Sequence, residues 1–91
     1  MVVACPARVF DTNKRLLVKG KTVDIAAGGV KILGPATGEA VAGDEVEVKI
    51  DLVMPDSRQL RHVERRATIR RVERMGDWTA VALEFIKAAE V

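Results

Sequence analysis

Val23-Asp24-Ile25-Ala26-Ala27-Gly28-Gly29-Val30-Lys31-Ile32-Leu33 sets the reading of the chain. Apolar β-formers enter this stretch, an acid, two alanines and two glycines hold its middle, and apolar β-formers leave it. Paired glycines inside a strand-like pattern mark a bend, a bulge, or a place where backbone or ligand comes close. The stretch reads as strand, turn, strand. Asp24 is its only acid and stands beside the bend.

Working outward, residues 16–25 form the strand that delivers Asp24, and residues 30–33 form a short strand after the corner. Upstream, residues 2–11 read as a first strand with Val3, Cys5, Ala7 and Val9 on one face. Pro6 cannot donate to a ladder, so this strand is expected at an edge or with a bulge. Asp11-Thr12-Asn13-Lys14 is a turn, because Asp and Asn side chains fold back on local backbone groups. Downstream, Gly34-Pro35 stops the third strand, and residues 37–43 hold one helical turn at most. Residues 45–54 are the clearest element: Val46, Val48, Ile50 and Leu52 alternate with Glu45, Glu47, Lys49 and Asp51, one face buried and one solvated. Pro55-Asp56-Ser57 is a turn.

Residues 59–73 admit two periods. Leu60, Val63 and Ala67 have helical spacing, but that stripe then meets Arg70, Arg71 and Arg74. Alternation and β-branched Thr68-Ile69 favour a strand with a bulge or bend near residues 64–66. Met75-Gly76-Asp77 turns the chain into a last strand, residues 78–85, with Val81, Leu83 and Phe85 inward. Trp78 is expected to cover one barrel end. Five or six short strands and no strong helix describe an all-β, small antiparallel barrel or closed sandwich. One domain is expected over residues 1–87, with a tail at 88–91 that is frayed or weakly helical.

Composition narrows the function. The 91 residues are 48% apolar, and their aromatic residues are Phe10, Trp78 and Phe85. A base-stacking nucleic-acid module needs a row of aromatic faces and is disfavoured. One cysteine and one histidine do not make a zinc site, and a lone Cys5 fits a small core residue in a reducing compartment. No nucleophile–base pair or paired carboxylates point to an enzyme. No apolar run reaches the roughly 18 residues of a membrane span. A cytoplasmic protein without a cofactor and without membrane insertion is expected. His62, in a charged strand, reads as solvated or hydrogen-bonded.

Asp24-x-Ala26-x-x-Gly29 between two apolar strands resembles the D-x-S-x-x-G element of PilZ domains. The alternating strand ending at Pro55, the basic strand and the closing Val-x-Leu-x-Phe strand (Val81–Phe85) are similar to the same family over residues of roughly 7–86. The resemblance implies a six-stranded Greek-key β-barrel. It also implies a regulatory module of bacterial cyclic di-GMP signalling, without catalysis of its own, whose ligand meets Asp24, position 26 and Gly29. The chemistry is sound: a carboxylate accepts guanine N–H groups, a Ser at 26 adds a hydroxyl contact, and Gly29 permits close approach or a positive φ. Asp24 also suits a plainer role as a turn cap bonding local N–H groups, and the two glycines serve the bend whether or not anything binds.

Two departures stand out. Ala26 replaces the Ser, at a cost of one neutral hydrogen bond, about two- to tenfold in affinity. The family's R-x-x-x-R element ahead of the first strand is not present; Arg8, Lys14 and Arg15 lie elsewhere. Two missing charge-assisted arginines are worth about a hundredfold to over ten-thousandfold. Two readings follow: a nucleotide-binding domain completed by an upstream segment, or a degenerate domain that acts through a protein partner. The arginine-rich strand is usually a solvated face; as a docking surface it would offer Arg66, Arg70 and Arg71 to an acidic partner. Nucleic acid is the least favoured partner.

Overall fold

A computed structural model describes residues 4–53 and 60–86. It is a closed antiparallel barrel of six strands: β1 (Pro6–Phe10), β2 (Leu16–Ala26), β3 (Gly29–Pro35), β4 (Glu45–Val53), β5 (Leu60–Met75) and β6 (Trp78–Phe85). Around the barrel the order is β1-β2-β3-β6-β5-β4, with β4 pairing back onto β1. β4, β5 and β6 are neighbours in sequence and space, and β3 reaches β4 by a long connection yet lies beside β6. This is the Greek-key arrangement. The expected turn at 55–57, Val3 and the tail at 88–91 lie outside the described residues.

Closure removes the edge alternative for β1, which has a neighbour on both sides, and leaves the other one: its register with β2 shifts between Val9 and Phe10. Pro6 is tolerated because it is the first residue of the strand. Just ahead of it the chain is fastened twice. The Thr22 N–H donates to the Cys5 carbonyl at 2.9 Å, and the Cys5 N–H donates to Thr22 Oγ1 at 2.9 Å. Both residues are buried. Thr22→Val keeps the shape and strands that Cys5 N–H, so it is expected to cost about 1–3 kcal/mol. A urea titration reads this as a lower midpoint at constant slope.

Alternation fills the barrel. Ala7 and Val9, Val46, Val48 and Ile50, Ala67 and Ile69, and Val81 and Leu83 all point inward and are buried. Phe85 is half-buried against this cluster, with the Arg65 guanidinium 5.0 Å from its ring centre. The 36–44 connection contains a bridge at Ala36, bends and a turn closed by the Asp44 N–H on the Val41 carbonyl, with Gly43 at φ 99°. It has no helical turn. Around the Asp11 turn, the Asp11 carboxylate accepts the Asn13 and Arg15 N–H groups, each at 2.8 Å.

The bulge expected near residues 64–66 is elsewhere. β4 and β5 pair in unbroken register from Glu45↔Thr68 to Val53↔Leu60. The irregularity falls between Ile69 and Arg71, against β6. Arg70 is the extra residue. Strict alternation would send Arg71 inward after Ala67 and Ile69. The bulge turns Arg70 and Arg71 both outward and brings Val72 to the core side.

Candidate functional site

The opening stretch is the β2–β3 hairpin. Ala26 faces Gly29 across a two-residue loop, Ala27-Gly28. A bulge shapes it: Thr22 pairs with Ile32 and Asp24 with Lys31, which leaves Val23 as the extra residue. Unbulged pairing would put Asp24 on the same face as buried Thr22. The bulge instead turns Val23 and Asp24 out together and returns Ile25 to the core side. A charge is thereby kept out of an aliphatic interior and displayed on the barrel wall.

Asp24 is exposed, and its carboxylate makes no hydrogen bond or ion pair with the described residues. The turn-capping role belongs to Asp11 and not to Asp24. Ala26 is exposed on the same hairpin. Gly29 has a structural cause for lacking a side chain, since a Cβ there would sit 2.3 Å from the Leu83 carbonyl oxygen of β6. The glycines with positive φ are Gly43 and Gly76, so neither corner glycine uses that freedom.

The three arginines singled out on β5 are all engaged. Arg66 bonds Glu45 on β4, Arg70 bonds Glu84 on β6, and Arg71 lies 3.0 Å from Glu73. Exposed pairs of this kind contribute little stability, but they neutralise these three guanidinium groups. His62 is hydrogen-bonded to Asp51 across β4–β5 at 2.6 Å.

Sequence reasoning missed a groove of about 730 Å³ on the outer wall beside Val23. Val23, Leu33, Pro35 and Trp78 give it apolar walls, and Lys19 and Lys21 also line it. Trp78, at the start of β6, is 51% exposed here and pairs with Pro35 of β3. The groove was hidden because its walls come from strands far apart in sequence. The Lys-Gly-Lys step at residues 19–21, cations on alternate residues with a glycine between, was its one local signal.

A six-stranded Greek-key barrel is the architecture expected of the family named by the Asp24 motif. The family model for the PilZ domain matches residues 2–91. The chain belongs to the PilZ domain family. This is a family of non-catalytic modules for a signalling nucleotide, cyclic di-GMP. No curated protein sequence matches this PilZ chain. Among solved structures it is similar to the Bacillus subtilis inhibitor of motility (MotI/DgrA), with a TM-score of 0.74 and 18% identity, covering 98% of this chain. At that identity the likeness speaks for the fold. The PilZ chain spans 41% of the length of that protein. Among the described residues no helix is long and apolar enough to cross a membrane.

Proposed function

We propose that this PilZ domain is a regulatory module that binds cyclic di-GMP at the Asp24–Gly29 corner, in concert with an upstream arginine segment. The observation that carries this is Asp24 itself. A bulge turns it outward, and it has no partner among the described residues. A carboxylate so placed is free to accept the paired N–H donors of a guanine edge. Ala26 sits two residues on, where a hydroxyl would add a contact, and Gly29 closes the hairpin. Arginines supplied ahead of β1 would take the phosphates bidentately.

Calorimetric titration of cyclic di-GMP into the chain, and into a chain preceded by an R-x-x-x-R segment, tests the proposal. Saturable binding in at least one supports it; heat from neither removes it. Where binding occurs, Ala26→Ser is expected to tighten it by about two- to tenfold, one neutral hydrogen bond. An unchanged or weaker affinity would take position 26 out of the contact.

The alternative is a domain that ignores the nucleotide and docks an acidic protein through Arg66, Arg70 and Arg71. It draws less support from the geometry. A partner would have to displace Glu45, Glu84 and Glu73 from guanidinium groups they already neutralise.

A further inference from the structure

Arg66, Arg70 and Arg71 are paired with carboxylates, whereas Arg61, Arg65 and Arg74 of β5, Lys31 of β3 and two lysines of β2 are not paired with any described carboxylate. Lys19 and Lys21 are exposed, two residues apart on β2, and form no ion pair with the described residues. On a strand that spacing puts both ammonium groups on one face, with Cα atoms about 7 Å apart. Arg8 faces Lys19 from β1, and Lys49 faces Arg8 from β4. Three cations thus stand in register across three strands, an arrangement that costs stability when like charges are directly opposite. The structure relieves part of it. Lys49 lies 3.5 Å from Glu64, and both Arg8 and Lys49 lean over the Phe10 ring. Lys19 and Lys21 receive no such relief. Asp51, which lines an adjoining hollow with Lys19, is bonded to His62.

Both lysines line the apolar groove, none of the described carboxylates does, and Val23, the chain neighbour of Asp24, is part of its wall. Its volume lies in the range of small-ligand sites. A ligand suited to it is flat and apolar on one part and doubly anionic on another, and reaches a hydrogen-bond acceptor at its end.

We infer that the groove holds the body of the cyclic dinucleotide, with Lys19 and Lys21 taking its phosphates from the barrel wall, so that the 91-residue chain binds without an added arginine segment. The inference rests on the Asp24–Gly29 corner as the guanine site and puts the two lysines in place of the upstream arginine segment. Asp24 then fixes one guanine, the two lysines neutralise the phosphodiester ring, and the Val23–Leu33–Pro35–Trp78 wall receives the apolar faces. Lysine serves here as a point charge, less selective in geometry than an arginine fork.

The test uses Trp78, the chain's sole tryptophan, as a built-in reporter. Cyclic di-GMP is titrated into the 91-residue chain and into the same chain preceded by an R-x-x-x-R segment, following Trp78 fluorescence and heat. The expected result is saturable binding by the chain alone with a change in Trp78 emission. Lys19→Glu and Lys21→Glu should each weaken it about tenfold or more, while Arg61→Glu, an equal charge change on β5, leaves it within about twofold. Melting temperatures confirm that the variants fold. Binding only with the added arginine segment overturns the lysine assignment and leaves the corner reading standing. So does binding by the chain alone that the lysine variants do not weaken. Binding by neither chain removes both.

Discussion

Gly20→Ala is expected to destabilise the barrel by about 3 kcal/mol or more, lowering the melting temperature by about 12 °C or more. A single methyl group is enough because β2 and β3 cross there backbone to backbone. A Cβ on Gly20 would lie 2.0 Å from the Leu33 carbonyl oxygen and 2.8 Å from the Gly34 Cα. From the other side, a Cβ on Gly34 would meet the Lys19 carbonyl oxygen at 2.4 Å. No side chain stands between to rotate away, so relief requires the two strands to part and their ladder to break. In a domain of this size, whose whole stability is on the order of 5–10 kcal/mol, that is a large fraction. Gly28→Ala is the contrast. A Cβ there meets nothing within 4 Å, and the change should fall within about 0.5 kcal/mol. Thermal melts of the two variants side by side check the distinction; equal losses would show that the close crossing is not what Gly20 serves.

Asp24→Ala is expected to weaken cyclic di-GMP by about ten- to a hundredfold and to leave the melting temperature within about 2 °C. The first figure is the loss of charge-assisted hydrogen bonds from a guanine edge. The second follows because the carboxylate holds nothing in the free domain: it is exposed and unpaired among the described residues. A structural acid behaves otherwise. Asp11 accepts two backbone N–H groups, so its removal would lower stability. Separation of affinity from stability at position 24 therefore distinguishes a ligand position from a turn cap. Calorimetry and a thermal melt on the same sample measure both.

Much of the barrel was legible because burial on one face imposes period two. Val46, Val48 and Ile50 on β4 and Val81 and Leu83 on β6 announce their strands and point where alternation puts them. The Asp24 hairpin was legible for a different reason, since its Gly-Gly pair has few other uses. The bulges were not. Which residue a ladder skips depends on the neighbouring strand, so the extra residue of β5 emerges as Arg70 only when β6 is set beside it. The same holds for the arginines. Arg66 and Arg70 read as free charge until β4 and β6 bring Glu45 and Glu84 against them. Gly20 and Gly34 lie in separate strands, and nothing local says that their backbones touch. The groove is the extreme case, because Val23, Pro35 and Trp78 meet only through the order β2-β3-β6.

The central claim is that the β2–β3 corner is a guanine site. Its most direct measurement is calorimetric titration of cyclic di-GMP into the domain preceded by an R-x-x-x-R segment, with Asp24 intact and with Asp24→Asn. The Asn variant keeps the shape and removes the charge. Saturable binding by the first and a loss of about tenfold or more in the second is the predicted result. No heat from the intact domain, or equal affinities in the two, would contradict it.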